Sequence, residues 1–154
     1  MSPDSLSRDL VREAPLLRHD DTVEQAVRAI LDSGLPALPV VDAAGQLKGI
    51  FGEREFMTAL FPGYVGQLSY AGFVKQVLDD AIERRAACRN EHVAQHLNSD
   101  HVDVGADFSD VQIVETFLHH RVLIIPVVER GEVSGVITRA DFFRRIAERF
   151  IQAR

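Results

Sequence analysis

The sequence has one cysteine, no tryptophan and only two tyrosines. Because Cys88 has no partner within the chain, an internal disulfide is excluded, and a reducing compartment is expected. No apolar run approaches the ~18 residues that suggest a membrane span. The first residues lack a basic region followed by an apolar stretch, which predicts no signal peptide. We therefore expect a cytoplasmic protein without membrane contact.

An excess of positive charge is also missing. The chain has 17 Lys and Arg residues against 23 Asp and Glu residues, for a formal net charge of -6. Such a chain has no overall attraction for nucleic acid, which makes nucleic-acid binding an unfavoured function. Phosphate-binding loops, nucleophile elbows and cysteine-pair metal motifs are absent from the sequence. The length of 154 residues favours one compact globule or two small halves packed together.

The histidines suggest a metal site only weakly. His92 and His96 are four residues apart, with His101 nearby, which is a possible metal-binding face. No glutamate occupies the position that a zinc protease needs, and no cysteine helps. Solvated histidines explain the pattern better, so no metal is predicted.

The chain repeats itself. Residues 22–42 align with 109–129, and residues 44–57 align with 130–143 once Ala43 is omitted. Ordinary composition predicts about two or three identities over this length. The sequence has more, at Gln25/Gln112, Val27/Val114, Leu31/Leu118, Pro39/Pro126, Val40/Val127, Val41/Val128, Gly45/Gly131, Gly49/Gly135 and Phe56/Phe142.

Each copy predicts the same order of elements. A capping box (Thr22 with Gln25, Ser109 with Gln112) opens a helix, and Gly34 suits the end of the first one. Two short β-branched runs then read as a hairpin, followed by a second helix near residue 53 or 139. Short strands are expected before the first helices, at residues 16–18 and 102–104. One copy alone has a marginal core, so the copies should pack together.

The insertion between the copies carries an amphipathic helix. Its apolar stripe comprises Phe73, Val74, Val77, Leu78, Ala81 and Ile82. Most such stripes pack on the protein's own core, and a docking surface for a partner is the alternative. A second short helix is expected over residues 91–97. The predicted organisation is copy one at residues 10–60, the insertion at 61–90 and copy two at 91–154.

The segments 34–42 (GLPALPVVD) and 135–141 (GVITRAD), in this order of elements, resemble CBS (cystathionine-β-synthase-type) domains. The resemblance implies an α/β fold: a CBS-domain pair, two β-α-β-β-α units packed sheet to sheet with pseudo-two-fold symmetry. It also implies a regulatory module that binds an adenosine-containing ligand (AMP, ADP, ATP or S-adenosylmethionine) between the copies, without a catalytic cofactor. A homodimer and an unidentified regulated protein are the implied partners.

The family's ligand-contacting pattern falls on Thr138 and Asp141. An ionised carboxylate can accept both hydroxyl protons of a ribose diol, and the following helix start favours phosphate. The resemblance further implies Arg139 near the phosphate, Asp103 near the base, and an apolar wall at Ile125 and Pro126. The simpler alternative is that Thr138 and Asp141 form a capping box without any ligand.

Copy one departs from this pattern. Gly52 replaces the hydroxyl residue, and Glu55 replaces the aspartate. Glycine offers no side-chain contact, and the longer glutamate moves the carboxylate. We therefore predict one competent site per chain. The alternatives are a structural or oligomerisation module with no ligand, and an enzyme built on paired acids such as Glu53 and Glu55, which ordinary surface acidity explains as well.

Overall fold

The computed structural model describes residues 5–61 and 75–154, and it contains the same unit twice. The elements of the first unit are β1 (Leu17–Arg18), α1 (Val23–Ser33), β2 (Ala37–Val41), β3 (Leu47–Gly52) and α2 (Glu53–Leu60). Those of the second are β4 (Val104–Gly105), α4 (Asp110–His119), β5 (Ile124–Glu129), β6 (Glu132–Thr138) and α5 (Arg139–Gln152), and α3 (Lys75–Arg85) lies between the units. The predicted β-α-β-β-α order is confirmed.

Each unit forms one three-stranded sheet with the same topology. The short first strand is parallel to the second, and the second is antiparallel to the third. Both hairpins contain a register shift at the same place, between Val40 and Val41 and between Val127 and Val128. The turn glycines Gly45 and Gly131 have φ values of 82° and 81°, which glycine adopts without strain.

The helix caps follow the sequence closely in copy one. The Thr22 hydroxyl accepts from Gln25 N at 3.2 Å, and the Gln25 side chain accepts from Thr22 N at 2.8 Å. Gly34 ends α1 with a φ of 71°. In copy two Ser109 accepts from Gln112 N at 3.1 Å, so the hydroxyl half of the predicted box is present.

The two units share their core. One buried cluster joins residues of the first unit, such as Leu38 and Phe51, to Ile124 and Val136 of the second. A second cluster lies under α4 and α5 and contains Ile125. Since neighbouring residues of β5 point to opposite faces, this strand contributes to both clusters. The sheets therefore pack on each other through β2 and β5, as predicted.

Two segments cross from one unit to the other. Residues 5–12, the first crossing segment, precede β1 of the first unit but reach β6, where Arg12 and Val136 exchange both backbone hydrogen bonds at 2.9 Å. Residues 93–98, the second crossing segment, precede β4 of the second unit but reach β3, where Asn98 and Ile50 exchange both backbone hydrogen bonds at 2.8 and 3.0 Å. Each sheet is therefore extended by the chain that leads into the other unit.

The helix predicted over residues 91–97 is wrong. The chain forms short 3-10 turns at Ala86–Asn90 and Val93–Gln95 instead. Val93 N donates to Asp21 O at 2.8 Å and Ala94 N donates to His19 O at 3.1 Å, and these bonds tie the second crossing segment to copy one. The turn does not continue as a helix because Asn98 N donates to Ile50 O, which draws the chain onto the edge of β3.

The insertion helix α3 buries only part of its predicted stripe. Ala81 is buried, but Leu78 and Ile82 are 48% and 40% exposed. Phe73 and Val74 lie outside the described residues, and so does the side chain of Val77. At the end of α3, the Arg85 guanidinium donates to Ala59 O at 2.9 Å and so caps the last turn of α2.

Candidate ligand-binding clefts

Thr138 lies where β6 ends and α5 begins. Its hydroxyl accepts a hydrogen bond from Asp141 N at 3.0 Å, which makes it the N-cap of α5. The side chain is buried, and Arg139 N donates to Leu123 O at 2.9 Å. These contacts hold the strand-to-helix junction in one conformation against the preceding strand.

The carboxylate of Asp141 does not complete a capping box. Its Oδ2 atom lies 3.2 Å from Arg12 Nη1, which belongs to the first crossing segment. The two side chains are 35% and 49% exposed, and ion pairs in such positions contribute about 0–1 kcal/mol. Asp141 is therefore held by a weak contact that an incoming ligand can share or replace.

Arg12 is positioned by the rest of the first crossing segment. Asp110, at the start of α4, accepts from the Ser7 hydroxyl, from Leu6 N at 2.8 Å and from Ser5 Oγ at 2.9 Å. The Arg8 guanidinium lies 4.4 Å from the centroid of the Phe108 ring. Together with the backbone pairing at Val136, these contacts fix the segment on copy two.

Asp110 is the main anchor of that segment. Burial acts to raise its pKa, but the hydrogen bonds from Ser7, Leu6 and Ser5 outweigh burial and hold the pKa of Asp110 below its usual value. These bonds favour the ionised carboxylate, because all of them are donated to it. The anchor is therefore intact at neutral pH.

The corresponding junction in copy one is built differently. The Glu55 side chain accepts from Gly52 N at 2.9 Å, so here the carboxylate does cap its own helix. Burial raises the pKa of Glu55, although hydrogen bonds and Arg54 oppose the shift. A carboxyl group that is already engaged and harder to ionise is a poor acceptor for ribose hydroxyls.

Gly52 has a steric role that the sequence alone did not reveal. A Cβ atom placed there would lie 2.4 Å from Ala37 Cβ and 2.6 Å from Pro36 O. A cavity of about 160 Å³ remains beside this junction. It is lined by Ala37, Ile50, Arg54, Glu55, Thr58, Asn98, Arg121, Val122 and Leu123.

The remaining predicted site residues are dispersed. Arg139 is exposed at the start of α5. Asp103 is also exposed, with Oδ2 3.2 Å from His101 Nε2. Pro126 pairs with Val136 on the sheet face that also carries Thr138, and it is fully buried. Ile125 points to the opposite face, into the cluster under α4 and α5, so it does not line the cleft.

The histidines make separate local contacts. His92 Nδ1 lies 2.8 Å from Asp20 O, and His96 Nε2 lies 2.9 Å from Glu91 Oε1. Within residues 5–61 and 75–154, no three His, Cys, Asp or Glu side chains are grouped so that they could hold a metal ion. Cys88 is buried, and burial raises the pKa of its thiol, which makes it a weak nucleophile.

The fold and both junctions can now be compared with known proteins. The family model for the CBS domain matches residues 7–62 and 97–148, which is more than half of the chain. The chain belongs to the CBS-domain family. The two matched segments are the two structural units, so the predicted CBS-domain pair is confirmed. No curated protein sequence matches the chain significantly.

Solved CBS-domain structures share the fold. The CBS domain of a CBS-domain-containing membrane protein from Sphaerobacter thermophilus is 24% identical, with a TM-score of 0.68 over 89% of this chain and 85% of that one. A CBS-domain-containing protein from Agrobacterium tumefaciens is 20% identical, with a TM-score of 0.68 over 95% and 98%. CBSX2, solved in complex with AMP, is 17% identical, with a TM-score of 0.65 over 97% and 98%. In the described part of this CBS-domain pair, no helix has the length and apolar character needed to cross a bilayer.

Sequence reasoning missed the contact of Arg12 with Asp141. The isolated position of Arg12 in an irregular segment gives no periodic signal. The only sign in the sequence is the identity of Gly49 and Gly135, which lie in β3 and β6. In the structure a Cβ at Gly135 would lie 2.7 Å from Val11 Cγ1, and one at Gly49 would lie 2.6 Å from Asn98 O. The shared glycines therefore allow the crossing segments to approach each sheet.

Proposed function

We propose that this CBS-domain pair is a regulatory sensor that binds an adenosine-containing nucleotide in the copy-two cleft, with one competent site per chain. Asp141 accepts the ribose hydroxyls, the Thr138 hydroxyl lies beside it, and Arg139 contributes charge near the phosphate. Binding biases the relative packing of the two units, and a partner protein reads that change.

The difference between the two helix junctions carries the proposal. Glu55 in copy one is used as a helix cap, whereas Asp141 in copy two turns its carboxylate away from the cap and towards Arg12. A capping role therefore accounts for Glu55, whereas the carboxylate of Asp141 is kept off the cap and paired with Arg12. A carboxylate that is partly exposed and weakly paired is available to accept two hydroxyl groups.

The comparison with CBSX2 supports the choice of ligand class. That protein binds AMP, and its fold covers almost the whole of this chain. The sequence identity is low, so the resemblance supports a cleft of the right shape and leaves the contacting residues to be tested here. The residues to test are Thr138 and Asp141.

A thermal-unfolding screen with AMP, ADP, ATP, NAD and S-adenosylmethionine tests the proposal. At a hundredfold excess over Kd, a ligand that binds only the folded state stabilises it by ~2.7 kcal/mol. We expect at least one adenosyl ligand to raise the unfolding midpoint, and Asp141→Asn to abolish the shift. Asp79→Asn, on the exposed face of α3, is the control and should respond like wild type. The proposal fails if no ligand shifts the midpoint or if Asp141→Asn responds fully.

We also propose that the module forms a homodimer through its helices. Equivalent apolar side chains of both copies are exposed: Leu31 and Leu118 at 75% and 74%, and Met57 and Phe143 at 50% and 70%. Apolar residues repeated at the same places of two related units are typical of an interaction surface. This surface also supports the alternative function, an oligomerisation module whose clefts stay empty.

Light scattering coupled to size-exclusion chromatography tests the dimer. We expect wild type to elute at twice the mass of the chain and Phe143→Glu to elute at the monomer mass, because a buried charge without a partner strongly opposes association. Leu16→Glu places the same charge at an exposed apolar residue outside the helices and should leave the dimer intact. A monomeric wild type would contradict the proposal.

A further inference from the structure

The internal symmetry of the chain relates its two clefts residue by residue. The bridge between Asn98 and Ile50 in copy one corresponds to the bridge between Arg12 and Val136 in copy two. The same sequence offset relates Glu55 to Asp141, which both lie in the first turn of the helix after the third strand. Positions that line the copy-one cavity therefore have defined counterparts in the copy-two cleft.

Four of these counterparts differ in charge. Asn98 and Thr58 of the copy-one cavity correspond to Arg12 and Arg144, whereas Arg54 and Arg121 correspond to Ala140 and Gly34. The positive charge is thus moved to other positions, while the carboxylate is kept as Glu55 and Asp141. The contact between Arg12 and Asp141 shows directly that Arg12 reaches the predicted ribose acceptor.

In copy two the positive charges at these positions are those of Arg12 and Arg144. Arg12 and Arg144 are both exposed, and Asp141 neutralises only one of them. The contact between Asp141 and Arg12 uses one carboxylate oxygen and one guanidinium nitrogen. A guanidinium has five N–H donors in a planar fork, so Arg12 can keep this contact and still bind a phosphate.

We propose that Arg12 is the residue that determines ligand specificity: it selects phosphate-bearing adenine nucleotides over neutral adenosine and over the cationic S-adenosylmethionine. This inference rests on the proposed function, because it assumes that Asp141 binds the ribose. Arg12 belongs to the first crossing segment, which Asp110 holds on copy two through its hydrogen bonds with residues 5–7. The ligand class is therefore set by a residue that lies outside the second unit.

Titration calorimetry with AMP, adenosine and S-adenosylmethionine tests the proposal. Wild type should bind AMP at least about tenfold more tightly than adenosine, and the preference should weaken with added salt. Arg12→Gln should reduce the AMP affinity about tenfold while leaving the adenosine affinity within about twofold. Arg12→Lys keeps the charge and should restore part of the AMP preference. Arg28→Gln removes a charge on the outer side of α1 and serves as the control.

The contrary outcomes are distinct. Equal affinity of wild type for AMP and adenosine overturns the selectivity but leaves the proposed function standing. Tighter AMP binding by Arg12→Gln would show that Arg12 competes with the ligand for Asp141, and an equal loss for all three ligands would show a structural role; each overturns the proposal. If wild type binds none of the three, the proposed function fails and this inference fails with it.

Discussion

Gly52→Ala is expected to lower the free energy of unfolding by about 3 kcal/mol, at the upper end of ordinary overpacking effects. The added methyl group would lie 2.4 Å from Ala37 Cβ and 2.6 Å from Pro36 O. Both neighbours are backbone or backbone-proximal atoms of β2 and its approach, so neither can move without shifting the strand. Relief of the clash must displace β2 or the start of α2.

Urea unfolding monitored by circular dichroism measures this effect. Gly105→Ala is the matched control, because its Cβ meets only the end of a side chain, the Asp107 carboxylate, at 3.0 Å. A difference of less than about 0.5 kcal/mol between the two variants would show that copy one has room for a side chain at this position. The variant Gly52→Thr, which restores the family's hydroxyl, should be at least as unstable and should not create a second nucleotide site.

Ile124→Ala is expected to destabilise the whole chain by about 2–5 kcal/mol, the usual range for emptying a fully buried branched side chain. Ile124 belongs to copy two by sequence, but it is completely buried in the cluster that contains Leu38 and Phe51 of copy one. The lost volume therefore weakens both units at once. We expect one cooperative unfolding transition at a lower midpoint.

Differential scanning calorimetry distinguishes this outcome from independent units. Ile151→Ala makes the same chemical change at a position that is 78% exposed, and it should alter stability by less than about 0.5 kcal/mol. Two separate transitions in Ile124→Ala, with only the transition of the second unit shifted to lower temperature, would contradict a shared core. Such a result would mean that the units fold separately.

Local physics made most of the fold predictable. The N-cap of a helix, its left-handed C-terminal position and a tight turn each favour a particular residue type. These are Thr22, Gly34 and the turn glycines, and the structure places the helix and hairpin ends at or near them. Strand positions followed from short β-branched runs, and the predicted first strands were displaced by only one or two residues. The repeat doubled the evidence, because both copies predicted the same order independently.

Long-range pairing was not predictable in the same way. The backbone bridges at Arg12 and Asn98 join residues far apart in sequence, and neither segment has the alternating pattern of a strand. The false helix at residues 91–97 arose because its composition suits a helix, whereas in the structure the segment runs into backbone pairing with Ile50 of β3. Within the candidate site, the sequence indicated Thr138 and Asp141 but gave no sign of the pairing with Arg12.

The crossing segments also dictate an order of assembly. During synthesis the sheet of the first unit can pair its β3 edge only after Asn98 has left the ribosome, long after β3 itself. Residues 5–12 must wait longer still, until Val136 has been made. Stable native structure in the first unit is thus delayed until the second is largely complete, and a nascent chain that ends near residue 90 exposes an unpaired strand edge to other chains and to chaperones.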